Sequence, residues 1–495
     1  KQMTPFSGPV WIVFAMMALT GCVGPHVAPQ AKQDQSPAEA RSEIAMEPVP
    51  AEAPQVATPP TAPPLPVPPF LGATPEVASR PDDVPVVEVR PAVVAGTYTG
   101  YTASKATAAT KTDTPLQETP TSIQVVPKQV IEDQKTPRIA EVLENVSGVR
   151  TNQSLGSGNR FIIRGFADLG KMYRNGLLAT SPSGFRTEID TANVESIEVL
   201  KGPASILYGR IEPGGMINVV TKRPLDTTHG ALEQQFGSYD FYRTLWDITG
   251  AVTDSKSLSV RFAGGYQNSG SFRDFNFTDR KIFNPSVTWR PTESTTITAD
   301  VEILKHEYRP DFGIPIIGNR PAPVPISRSY SDPNTPAAFT NKTHIGFHLD
   351  HTFNESWKLT NRFLASYLDT EDLWPNPTPA FGTALQANGR TLNRNIFGQT
   401  SYVRTYATNL DLVGKFSVAE TQHKVLFGAD FTKSKTDYWT FGDFNDPNPG
   451  LAIDLFNPTY GIAPSLFTAA RTIRTSARNF SVFHDQWYGV YLQDQ

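Results

Sequence analysis

From about Gly230 onward, apolar and polar residues take turns along the chain. Leu258, Val260, Phe262 and Tyr266 fall on one side of such a run, with Ser259, Arg261, Ala263 and Gln267 on the other. Ile345, Phe347, Leu349 and Phe353 alternate in the same way with His344, Gly346, His348, Asp350 and Thr352. Val425, Phe427, Ala429 and Phe431 repeat the pattern. A period of two is that of a β-strand, whose successive side chains point to opposite faces. Roughly eleven such strands are expected from residue 229 to 495. Between them lie polar stretches rich in Pro and Asn, Arg309 to Thr340, Leu373 to Arg394 and Phe441 to Ala470, which read as long loops.

Residues 96–228 carry a different, α+β pattern. Ser122 to Val126 alternates as a strand. Thr136 is placed to cap a helix with Pro137 at its first position; Ile139, Val142, Leu143 and Val146 give it one apolar face, and Gly148 closes it. Tyr173 to Leu177 and Ile189 to Val194 bracket two loops, Ala167 to Met172 and Leu178 to Thr187. Ser196 to Leu200 suits a strand that Gly202 and Pro203 break. Ala204 to Tyr208 then forms a helical turn closed by Gly209. At Pro213-Gly214-Gly215, proline presets φ at the first corner and glycine supplies a positive φ at the second, before a strand from Met216 to Thr221.

Upstream, Pro9 to Thr20 is the only long apolar run. It is too short to span a bilayer and fits a signal-peptide core within residues 1–22. Residues 48–91 hold 14 prolines in 44 positions. No packed core is possible there, so residues 23–95 are expected to be a disordered linker that reaches roughly 100 Å if fully extended as polyproline II. Composition agrees with exposed strands. Only 39% of residues are hydrophobic while 11% are aromatic, and the mean hydropathy is -0.31. The net charge of -4 gives no reason to expect nucleic acid, and the single cysteine, Cys22, excludes internal disulfides. A start at Lys1 and an end inside a strand-like run at Tyr491 to Gln495 read as a fragment.

In order along the chain, FIIRGF (161–166), VESIEVLKGP (194–203), ILYG (206–209), EPGG (212–215) and INVVTKRP (217–224) resemble the plug of TonB-dependent outer-membrane receptors, in particular the ferric-siderophore branch of hydroxamate type. The resemblance implies an α+β plug domain inside a transmembrane antiparallel β-barrel of a Gram-negative outer membrane. About half of a 22-stranded barrel falls within residues 229–495. Apolar faces would meet outer-membrane lipid, polar faces the lumen, and the long loops the outside. Half a ring cannot sit in lipid, because unpaired edge groups cost several kcal/mol each. Either further strands close it, or the chain is a non-transporting remnant acting as an exposed binding protein.

The resemblance also implies the function: import of a ferric siderophore, driven by the TonB energy-transducing protein, with no catalysis and no cofactor. Iron enters only as the chelate. A receptor for another scarce solute, such as a corrinoid, haem or an oligosaccharide, is the alternative. Residues 82–89 are the expected TonB box; Asp83, Val84, Val86, Val87 and Val89 form an extended run able to add to a partner's sheet edge. The Pro-rich segment stands where some family members carry a signalling domain, so none is expected. Leu19-Thr20-Gly21-Cys22 is similar to a lipobox, which would acylate Cys22. Ligand contacts are expected from Arg164, Phe166, Thr180, Ser181, Phe185 and Arg186. Arg164 matches an arginine used by a ferrichrome-transporting relative. That relative has glutamine where Thr180 stands and tyrosine where Ala192 stands, which argues against ferrichrome itself.

Two motifs are set aside. Gly165 to Met172 comes within one residue of a phosphate-binding G-x-x-x-x-G-K-[ST] loop, but Met172 replaces the hydroxyl that would hold Mg²⁺. His344, His348 and His351 do not form a metal site on a strand: the first two lie about 13 Å apart and the third points away.

Overall fold

The computed structural model describes residues 98–154, 158–168, 171–180, 189–203, 205–209, 211–378, 384–442, 447–472 and 480–495. Cys22, the Pro-rich segment and the expected coupling residues Asp83, Val84, Val86, Val87 and Val89 lie outside them, as do Ser181, Phe185 and Arg186.

The plug is built on a five-stranded sheet in the order Ser122–Pro127, Val194–Lys201, Gly215–Thr221, Tyr173–Arg174 and Leu177–Leu178. Only the contact of Gly215–Thr221 with Tyr173–Arg174 is parallel. A hairpin of Val149–Ser154 and Gly158–Ile163, extended by Phe166–Asp168, lies beside it. The apolar stripe does what its spacing predicts: Ile139, Val142 and Leu143 are fully buried and Val146 nearly so, among Phe161, Ile163, Ile197 and Ile217. The cap is different. The helix begins at Ile139 with Arg138 as its N-cap and no side-chain cap. The Thr136 hydroxyl lies outside it, donating to the Glu141 carboxylate.

The Pro213 corner also departs from expectation. Gly215 N–H donates to Glu212 O at 3.1 Å, which closes the turn, but the positive φ falls on Gly215 (132°) rather than on Gly214. Gly214 is required for space: a Cβ there would lie 2.4 Å from Ile163 O, and one on Gly215 would lie 1.9 Å from Leu200 O. Tyr173 to Leu177 is a hairpin, not one strand. Asn175 and Gly176 both adopt left-handed φ, 51° and 85°, so the Asn-Gly pair makes the two-residue turn that this dipeptide favours.

Residues 229–494 form one ten-stranded antiparallel sheet, the wall, in which each strand pairs with its neighbour along the chain. That is one strand fewer than expected. The first strand is His229–Gly237 and the last Phe480–Asp494; each is paired on one side only among the described residues. The alternation holds. Phe262, Ile345 and Phe427 are exposed on one face, and Arg261, His344 and Thr432 are buried on the other, beneath the plug. Among the described residues no helix is long and apolar enough to cross a membrane.

Strands longer than expected shorten the loops: Trp357–Pro377 and Thr421–Gly442 run into the stretches expected as loops, and Arg394–Val418 begins at the last residue of one. Three long connections meet at one end of the sheet, where the sequence suggested only polar loops. Ala322, Tyr330, Leu392, Ile453 and Leu455 form one buried cluster there. Leu373, Ile396, Phe441, Leu451, Ile462 and Phe467 form another, supported by a helix at Pro464–Thr472.

Candidate functional site

Arg164 and Gly165 occupy the two corners of a tight hairpin, with φ of 51° and 86°, because Ile163 pairs directly with Phe166. The turn throws Arg164 to the surface and leaves Phe166 51% exposed. Arg164 N–H donates to Gly148 O at 2.8 Å, and its guanidinium lies across Gly202, where a Cβ would meet Nη1 at 3.3 Å. Beside it is Lys201, whose amine donates to Gln124 Oε1 (2.9 Å) and Ser147 Oγ (3.0 Å). Burial and then the neighbouring Arg164 hold the Lys201 amine below its ordinary pKa. Two cations next to an exposed aromatic ring suit an anionic or neutral polar ligand. Lys201 was not among the expected contacts, although its place in VLKGP put it at the end of a predicted strand.

Thr180 is 3% exposed, and its hydroxyl accepts from Met172 N–H at 3.1 Å. Ala192 is buried against Ile282 and Leu304 of the wall. Lys171 of the phosphate-loop look-alike pairs with Glu212 at 2.7 Å, and Met172 is in the plug core. The three histidines stay apart in role. His348 Nε2 is 2.8 Å from Asp350, His351 bonds Thr295 at 2.8 Å, and His344 lies buried beside Glu302 in the register.

The plug meets the wall through charge. Asp190, at the cap of a short 3-10 turn, accepts from Arg243 at 2.7 and 3.0 Å and faces Arg280 at 3.5 Å. Burial pushes the Asp190 carboxyl up, but the two guanidiniums hold it below the usual carboxylate range. Arg174 pairs with Asp300 at 2.7 Å and lies 3.7 Å from Glu302, which in turn holds Lys342 at 2.8 Å. Lys222 and Arg261 share Asp247 at 3.0 and 2.6 Å. Such pairs orient the plug and fix its seat.

At the loop end, Arg394 binds the connections together, donating to Leu451 O (2.8 Å) and Tyr330 O (3.0 Å). Asp332 accepts from Gly461 and Ile462 N–H at 2.9 and 3.1 Å. Phe312, Trp374 and Phe397 pack tilted and edge-on in sequence, with centroids 5.6 and 5.5 Å apart, and Trp374 and Phe397 are buried.

Ion pairs thus seat a plug on the polar face of an antiparallel sheet whose other face carries an apolar band. The profile of the family described as TonB-dependent Receptor Plug Domain matches residues 115–216. Over those residues the chain is similar to the plug of TonB-dependent receptors. It is 31% identical over 366 residues to the metal-pseudopaline receptor CntO of Pseudomonas aeruginosa PAO1, covering 74% of this chain and 51% of that one. To the ferrioxamine B receptor of Salmonella typhimurium LT2 it is 28% identical over 410 residues, covering 78% and 54%. The chain thus spans about half the length of the relatives it matches. Among solved structures, the closed form of the ferric-catecholate import receptor Fiu of Escherichia coli K12 has the same fold, with a TM-score of 0.68, 20% identity, and coverage of 80% of this chain and 57% of that one.

Proposed function

We propose that the protein is an outer-membrane receptor that captures a ferric siderophore from outside and passes it inward when TonB draws on the N-terminal segment. The observation that carries this reading is the seat of the plug. Asp190, Arg174 and Lys222 meet the wall through ion pairs that water can replace when the plug shifts, beside small apolar patches at Leu177 and Ala192, while its own apolar core stays shut. The Arg164, Lys201 and Phe166 surface supplies charge and an aromatic face for a chelate. Residues 82–89 are the sequence's candidate for the segment TonB engages, and iron is cargo rather than cofactor.

A second reading concerns the cargo. A relative of higher identity than the ferrioxamine receptor is named for metal–pseudopaline, which favours a chelate that need not be a ferric hydroxamate. Tryptophan quenching by a panel of ferrioxamine B, ferrichrome and metal–pseudopaline decides between them. Saturable quenching by one chelate supports the proposal. Quenching by cobalamin or haem with none by any chelate refutes it.

A further inference from the structure

The segment entering the plug, residues 98–114, is gripped from two sides, and the grips differ in kind. On the plug side, Glu198 is completely buried on the second strand of the sheet. Its carboxylate accepts from Thr107 N–H (2.8 Å), Ala108 N–H (2.8 Å), the Thr107 hydroxyl (3.0 and 3.2 Å) and Asn218 Nδ2 (2.9 Å). Charge-assisted bonds to backbone amides in a dry site are among the strongest polar contacts a protein makes. Removing the carboxylate would take this acceptor from Thr107 N–H and from the buried Ala108 N–H and Asn218 Nδ2.

On the wall side the hold is looser. Lys111, in left-handed backbone with φ of 56°, donates to Tyr491 Oη at 2.8 Å and lies over the Tyr491 and Tyr208 rings at 4.0 and 4.7 Å. Two residues on, Asp113 reaches Lys424 (3.0 Å) and Lys415 (3.6 Å), but its side chain is 58% exposed, where ion pairs contribute little. Thr112 and Thr114 donate to the Gln495 amide oxygen at 3.3 and 2.7 Å.

We infer that Thr107–Thr114 is a two-sided clasp of unequal strength: tension from upstream meets Thr107 and Ala108 first and is delivered through Glu198 to Val194–Lys201, a strand paired on both edges within the plug sheet, before the weaker wall-side contacts of residues 111–114 are loaded. Glu198 is thereby a positioning residue for coupling rather than a ligand contact. The clasp follows from contacts alone; its use in opening rests on the receptor reading above.

Residue-resolved hydrogen exchange on the full-length receptor in outer-membrane vesicles tests it. The Thr107 and Ala108 amides should exchange as slowly as those of 194–201. Lys111→Glu, which sets a carboxylate against Asp411 and Asp430, should speed exchange over residues 111–114 by about tenfold or more and leave Thr107 and Ala108 slow. Glu198→Ala should free Thr107 and Ala108. Should Glu198→Ala not assemble, the wild-type and Lys111→Glu measurements still decide. Fast exchange at Thr107 and Ala108 in the wild type overturns the inference, as does Lys111→Glu releasing 107–114 as one unit. Chelate binding on the same vesicles scores the receptor reading separately.

Discussion

Within the plug, Phe161, Ile197 and Ile217 belong to an apolar cluster with almost no exposed surface, whereas the side leaning on the wall presents Asp190, Arg174 and Lys222 to opposite charges. The two surfaces are comparably buried but not equally reversible. Prying apart hydrocarbon exposes surface that water solvates poorly. Separating buried ion pairs returns each charge to a solvent that repays much of its Coulomb energy. For the function proposed, in which the plug leaves its seat without unfolding, this division helps: apolar cohesion inside, and ion pairs beside only small apolar patches at the boundary.

The largest expected effect strikes the inner surface. Gly215→Ala forces a Cβ to within 1.9 Å of Leu200 O at a φ of 132°, so the central ladder cannot close. Plug amides should lose all protection, and trypsin should cut the plug in intact vesicles. Native-like protection would mean that this corner is not part of what holds the plug together. Next comes Phe161→Ala, which empties a fully buried ring site and should cost the plug about 3–5 kcal/mol in urea unfolding followed by exchange. A loss under about 1 kcal/mol would show that the apolar cluster is not the source of cohesion.

At the boundary, Asp190→Ala leaves Arg243 and Arg280 buried, each without its plug carboxylate. The expected cost is about 3 kcal/mol, concentrated at the contact. Exchange over 189–194 should rise roughly a hundredfold while the amides of 139–146 hold. Equal acceleration in both would abolish the distinction between core and seat. Acid should act in the same place. Because the Asp190 carboxyl titrates below its ordinary value when seated, its contribution is present above that ordinary value and is lost only as pH falls through the depressed one. Between pH 5 and 8 this contact should therefore be insensitive to pH.

How much of this could be read from the chain depends on the range of the interactions. The apolar stripe at Ile139, Val142, Leu143 and Val146, the period-two runs around Phe262 and Ile345, and the Gly209 closure (φ 65°) are set by neighbours a few residues away, and they appear as expected. The Asn175-Gly176 hairpin carried its signal in plain view. Other features depend on distant partners. Gly214 is small because Ile163, some fifty positions earlier, passes beneath it. Asp190 pairs with arginines on two later strands, and an arginine facing the lumen has the same spacing as one facing the plug. Leu392 and Ile453 meet only because two loops lie side by side; neither loop has a period. Of the expected ligand contacts, Arg164 and Phe166 were placed by a local turn, while Thr180 is drawn inward by Met172.

The smallest effect concerns a place where the boundary mixes both characters. Lys111 sits between aromatic rings and carboxylates, and burial brings its amine from 10.5 down to about 8, with Asp411 and Asp430 pulling it back up and Arg362 adding to the fall. The sign follows from comparing held and released segments. Below about pH 8 the amine is charged in both, so the segment bears the whole cost of burying the charge. Between about 8 and 10.5 the held amine loses its proton first while the released one keeps it, so binding to the wall tightens as pH rises through that window. Tyr208, raised well above 10.0 by burial, stays neutral throughout, and Asp113, held below its ordinary value, is already charged. After correction for the intrinsic base-catalysed rate, protection over residues 111–114 should increase by about threefold to tenfold from pH 8 to 10. Lys111→Glu should show no such rise. A decrease across the window in the wild type would mean that Lys111 holds the wall as a cation, and the boundary would then be ionic along its whole length.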